Sequence, residues 1–98
     1  MKTRDVYVDA SPIHGRGLFA ARAIESGEVI GRIDGVPARR DGQYVLWLTD
    51  TLGIRVRGPF RYINHSHQPN AVYYDTREVV ALRAIRPGEE ITHNYDQP

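Results

Sequence analysis

Ninety-eight residues with 41% hydrophobic and 26% charged side chains suit one ordinary folded domain spanning residues 1–98, which excludes a disordered or fibrous chain. Thirteen Lys and Arg against twelve Asp and Glu leave a formal charge of +1, without the basic excess that drives phosphate binding, so nucleic acid is not an expected direct partner. No cysteine is present, which excludes disulfides and cysteine zinc clusters, and no signal-like or membrane-length apolar run occurs, so the expected address is the cytoplasm without membrane contact.

Glycines and prolines interrupt the chain too often for a long amphipathic helix, so the runs between them are read as short strands of an all-β domain. The first run is Val6 to Val8. It is followed by Ser11-Pro12-Ile13-His14-Gly15-Arg16-Gly17, where glycines without Cβ would let backbone amides approach an anionic ligand closely, although a plain turn uses the same residues. Strands are then expected at Leu18 to Ala20, Val29 to Ile33, Tyr44 to Thr49 and Ile54 to Val56. Both alternating faces of Tyr44 to Thr49 are largely apolar, which predicts a strand covered on both sides at the centre of its sheet.

The polar stretch Arg61-Tyr62-Ile63-Asn64-His65-Ser66-His67-Gln68-Pro69-Asn70 follows. Tyr62 and Ile63 suggest that it tucks inward, where Asn64 and Asn70 need partners from a polar ligand or from neighbouring backbone. Further strands are expected at Ala71 to Tyr74 and Val79 to Leu82, with Asp75-Thr76-Arg77-Glu78 as the hairpin turn between them. One pattern occurs twice at a constant offset: Arg22-Ala23-Ile24 with Gly27-Glu28 and Ile30 returns as Arg83-Ala84-Ile85 with Gly88-Glu89 and Ile91. The repetition predicts two similarly built, hairpin-like halves, although the same residues are also a common way to turn into a strand.

The last segment, Pro87-Gly88-Glu89-Glu90-Ile91-Thr92-His93-Asn94-Tyr95-Asp96, completes a set of three. Taken together and in this order, the glycine loop, the Asn64-His65-Ser66 stretch and the terminal tyrosine segment resemble the SET-domain protein-lysine methyltransferases. The resemblance runs from about Val6 to Tyr95. It implies a SET-domain β-clip in which the C-terminal strand crosses the segment 61–70 as a pseudoknot. It further implies S-adenosylmethionine as cofactor, held by His14, Gly15, Arg16, Gly17, Arg61, Asn64 and His65, with Tyr44 near the cofactor or the lysine channel and Tyr95 as the catalytic tyrosine. Two positions depart from the family pattern: Asn94 stands where an aspartate is usual, and His67 where a cysteine is usual.

The implied activity is methyl transfer to a lysine ε-amine of a protein substrate. Lysine must react as the neutral amine, which at pH 7 costs roughly 4 to 5 kcal/mol and is offset by burial in an apolar channel. A phenol with a pKa near 10 suits Tyr95 to positioning rather than to general-base work. The chain stops at Pro98 and the stretch from Trp47 to Arg61 is short, so a second copy of the chain is expected to help close the lysine channel. The rival reading is a non-catalytic SET-like module that binds cofactor or partner without turnover. A histidine metal site from His65 and His67 with His14 or His93 is a further rival, and no metal is expected. Glu89 and Glu90 could attract a basic substrate or simply open a strand.

Overall fold

The computed structural model describes residues 5–94. Among them are ten strands: β1 (Val6–Ala10), β2 (Arg16–Ala20), β3 (Val29–Arg32), β4 (Asp34–Ala38), β5 (Val45–Trp47), β6 (Gly53–Arg57), β7 (Asn64–His65), β8 (Ala71–Tyr73), β9 (Glu78–Ala81) and β10 (Glu90–His93), with a 3-10 turn at Pro59–Tyr62. They form three small sheets, in the orders β1-β2-β10-β7, β3-β9-β8 and β4-β6-β5. Every run rich in β-branched and aromatic residues became a strand, because each supplies a face that the common core covers. Leu18, Ile24, Ile33, Ile54, Val79, Ile85 and Ile91 are completely enclosed there.

The repeated pattern is a structural repeat, but its halves are not hairpins. Each unit is a strand, a turn and a strand, and the strands are exchanged: β2 pairs with β10 and β3 with β9, both antiparallel. At the centre Ile24 and Ile85 form a reciprocal bridge, each amide donating to the other's carbonyl at 2.9 and 2.8 Å. The turns match in their backbone hydrogen bonds and in their Arg–Glu pairs. Gly27 and Gly88 share a φ of 83°, a left-handed conformation that glycine adopts without steric cost. Gly27 N–H donates to Ala81 O while Gly88 N–H donates to Ala20 O. Glu28 pairs with Arg22 and caps Glu25 N–H, as Glu89 pairs with Arg83 and caps Arg86 N–H. These partners hold both carboxyl groups below the usual carboxylate range. Glu89 is thereby engaged within its own turn, which accounts for it without a basic substrate.

The interlock expected near the C-terminus is formed by β10, which lies between β2 and β7 and runs parallel to β7 with Thr92 opposite Asn64 and His93 opposite His65. Asn70 fastens it. This side chain is 1% exposed, donates from Nδ2 to Glu90 O at 2.8 Å and accepts Thr92 N–H on Oδ1 at 2.9 Å, so one amide does the work of a strand neighbour. Replacing Asn70 by Ala leaves both backbone groups buried without that partner and should lower stability by about 2 kcal/mol. Urea unfolding would show this as a reduced midpoint at unchanged slope; a midpoint equal to wild type would mean that the amide is not what holds β10.

The sheet β4-β6-β5 corrects one expectation. The run from Tyr44 to Thr49 is not a central strand: β5 covers only Val45–Trp47 and forms an edge, while β6 lies in the middle. Leu46 enters the core, whereas Trp47 packs over Gly53, where a Cβ would lie 3.0 Å from the indole. Apolar residues on both faces therefore reflect one core contact and one surface stack. The unforeseen β4 contains Gly35 and Pro37, residues that argue against a strand. Pro37 is tolerated because β4 is an edge strand and pairs only with β6.

Candidate functional site

A cleft of about 620 Å3 opens where the loop after β1, the β4–β5 connection, β6 and the segment leading into β7 meet. That volume falls in the range that holds a nucleoside-sized ligand. His14, Gly15 and Arg16 form one rim, Tyr44, Arg61 and Asn64 stand around it, and Val45, Leu46, Val56 and Ile63 give it apolar wall. Thus six of the residues named from the sequence meet in one concavity although 50 positions separate His14 from Asn64.

The local chemistry explains each placement. Gly15 has a φ of 43° in the tight connection closed by Ser11 N–H donating to Gly15 O at 2.9 Å, a conformation costly for other residues. Tyr44 also has a positive φ, 65°, unusual for an aromatic residue, and its carbonyl accepts Val56 N–H at 2.8 Å. Strain of this kind is stored where surrounding contacts fix it, and here it turns Tyr44 into the cleft. The Arg61 guanidinium covers the Tyr62 ring at 4.7 Å and the Tyr44 ring at 5.6 Å, and it donates to Tyr62 Oη at 2.8 Å. The two tyrosines meet edge to face at 5.9 Å. A cation over aromatic faces is held in place without losing its charge.

Gly17 and His65, also named from the sequence, are not lining residues of the cleft. Gly17 lies behind it in β2, where a Cβ would come 2.3 Å from Glu90 Oε2. His65 sits in β7 with its ring 4.7 Å from that of His67 and depresses the basicity of His93. The His65 position is extended, in the short strand β7. No group of three or more His, Cys, Asp or Glu among the described residues is arranged to hold a metal ion. Tyr95 lies outside the described residues. Sequence reasoning missed Gly42, Gln43 and Tyr62, which also line the cleft. Tyr62 stood beside a named arginine; Gly42 and Gln43 carry no signal apart from their place before Tyr44.

Among the described residues, His93 is the most perturbed titratable group. Burial at 2% exposure, and secondarily the charge of His65, lower its pKa to about 3. Its ring meets Tyr73 at 4.7 Å, and burial raises the Tyr73 phenol.

With the cleft and the interlocked strands in view, the matching family model, the SET domain over residues 15–96, shows that this chain belongs to the SET domain family. It is 32% identical to human histone-lysine N-methyltransferase 2B over 117 residues, covering 95% of this chain and 4% of that protein. Against the Drosophila virilis histone-lysine N-methyltransferase trithorax it is 33% identical over 118 residues, covering 95% of this chain and 3% of the relative. The chain thus spans only a small part of the curated relatives it matches. Among solved structures, KRYPTONITE in complex with mCHH DNA, an H3(1-15) peptide and SAH superposes with a TM-score of 0.77 at 24% identity, covering 95% of this chain and 23% of that one. Plasmodium falciparum PFL0690c, described as a candidate histone methyltransferase, gives a TM-score of 0.72 at 21% identity, covering 97% and 96%. These two likenesses are of fold. No helix among the described residues is long and apolar enough to cross a membrane.

Proposed function

We propose that residues 1–98 act as one minimal SET domain that transfers a methyl group from S-adenosylmethionine to the ε-amine of a protein lysine. The observation that carries this reading is the cleft itself, which joins a polar rim at His14, Gly15, Arg16 and Asn64 to an apolar wall at Val45, Leu46 and Val56. Such a ligand has an amino-acid end and an aromatic base, and the two parts of the cleft match those chemistries. Arg16 and Arg61 would meet the carboxylate, Asn64 the ammonium group, and the apolar wall the base, with Gly17 and His65 supporting the site from behind. When bound, the cofactor supplies an electrophilic methyl group. The protein's task is to orient the acceptor amine in line with it and to keep that amine neutral, which desolvation in an apolar channel favours. Tyr95 serves there as a positioning phenol whose pKa range does not suit a general base at pH 7.

Labelled S-adenosylmethionine incubated with a histone and the protein tests the reading. Wild type should transfer label and Tyr95→Phe should lose at least about 10-fold of the rate, the size of a lost transition-state hydrogen bond. Cofactor binding by calorimetry without any transfer would favour the non-catalytic module instead. No cofactor binding at all would remove the enzymatic reading and leave only a module that binds a partner. A measurement of mass in solution beside the assay decides the second copy: a monomer that methylates lysine does not need one.

A further inference from the structure

Glu90 opens β10 opposite Phe19 of β2, and its side chain reaches under the glycine loop. Ser11 Oγ donates to its two carboxylate oxygens at 2.7 and 2.9 Å, and Asn64 Nδ2 donates to Oε2 at 2.9 Å. The same Nδ2 lies 3.0 Å from Arg16 O, 3.1 Å from His14 O and 3.2 Å from Ser11 Oγ. Ser11 Oγ in turn accepts Ile13 N–H at 3.0 Å. The seat for the carboxylate exists because Gly17 has no side chain: a Cβ there would stand 2.3 Å from Oε2 and 2.9 Å from the carboxyl carbon.

Acceptor chemistry decides what this arrangement does. A carboxylate and two carbonyls offer only lone pairs, so the NH2 of Asn64 must face them and its Oδ1 lies on the opposite side of the amide. An amide turned the other way would set oxygen against three acceptors. Charge on one partner makes the Glu90 hydrogen bonds the strongest of the set. The carboxylate thus selects the orientation of Asn64 and draws together the two strands of chain that form the polar rim.

We propose that Glu90 is a positioning residue for the cleft: seated under Gly17, it holds Ser11 and the Asn64 amide so that the His14–Arg16 loop is closed and Asn64 Oδ1 is offered to a hydrogen-bond donor of the ligand. The part concerning ligand rests on the S-adenosylmethionine reading; the closure of the loop does not.

The experiment has two arms on the full chain. In the first, amide hydrogen exchange compares wild type with Glu90→Gln, which keeps the size of the side chain but removes its charge and replaces one acceptor oxygen by a donor. Exchange at 14–17 should accelerate about 10-fold, the worth of a charged hydrogen bond, while the Ile24 and Ile85 amides of the central bridge keep wild-type rates. Equal exchange in both proteins overturns the proposal. In the second arm, calorimetry with S-adenosylmethionine follows wild type, Glu90→Gln, Asn64→Ala and the double variant. Glu90→Gln should weaken binding about 10-fold in the presence of Asn64 and by less than about 2-fold in its absence, because it acts through that amide. Additive losses, or wild-type affinity in Glu90→Gln, overturn the positioning role. If wild type itself binds no S-adenosylmethionine, the cofactor reading falls while the exchange arm still decides what Glu90 holds. Should Glu90→Gln fail to fold, Ser11→Ala removes the bridging hydroxyl alone and should open the same loop; unchanged exchange in that variant counts against the proposal.

Discussion

Gly35→Ala should unfold on the order of 10–20 °C below wild type, a loss of about 3 kcal/mol for a domain of this size. The added Cβ would stand 2.1 Å from the Arg55 carbonyl oxygen and 2.8 Å from Ile54 Cγ2. The first of these is backbone, so a change of rotamer gives no relief and β4 must move away from β6. That movement breaks the register of five residue pairs from Asp34↔Arg57 to Ala38↔Gly53 and uncovers Ile54 and Val56, both part of the core. Gly42→Ala is the control, since its nearest neighbour would be Val45 Cγ2 at 4.0 Å. Thermal unfolding followed by circular dichroism distinguishes the two. Equal melting temperatures for both variants would show that β4 and β6 have slack that the close approach denies.

The second large effect is loss of stability in acid. His93 remains neutral in the folded protein down to about pH 3, whereas in the unfolded chain it takes up a proton near 6.5. Between these values the unfolded state binds more protons, so stability rises with pH across the window and falls as acid is added. The slope approaches 1.4 kcal/mol per pH unit, an order-of-magnitude loss of about 2–3 kcal/mol by pH 4.5 and about 4 kcal/mol by pH 3. Glu28 and Glu89, whose folded carboxyls are held below the ordinary 4.5, begin to contribute as the unfolded carboxyls take up protons, from about one pH unit above that value downward. The interval from 6.5 to about 5.5 therefore reports His93 with little contribution from these carboxylates, and Tyr73 is protonated throughout because burial raises its pKa. Denaturant titrations at pH 6.5, 5.5 and 4.5 should show falling stability in wild type and a flatter profile in His93→Phe, which keeps an aromatic ring against Tyr73. The same slope in both proteins would place the acid sensitivity elsewhere.

These two effects arise from surroundings that the sequence alone did not reveal. Gly35 reads as a break between strands, and its importance depends on how closely β4 crosses β6, a distance between residues twenty apart in the chain. His93 reads as a polar residue in a strand near the end of the chain. Its titration is set by enclosure between β7 and β8 together with the neighbouring His65. Asn64 stood out through its local motif and Tyr44 only through the family resemblance, and both line the cleft, but nothing local predicted the positive φ of Tyr44 or the carboxylate behind Asn64.

What the sequence determined by itself was the all-β class, the positions of most strands, the paired Arg-Ala-Ile turns and two of the three motifs, the glycine loop and the segment around Asn64, that meet at the cleft. Each of these depends on short-range chemistry: β-branched runs, glycines at left-handed turns, an acid three residues after the amide it caps. The tertiary structure decided how the units pair, exchanging strands about Ile24 and Ile85 where hairpins were expected, and placed β5 at an edge. It also seated Glu90 beneath Gly17. Those outcomes depend on contacts between distant segments, and the energy of a contact becomes specific only when both partners have been brought into place.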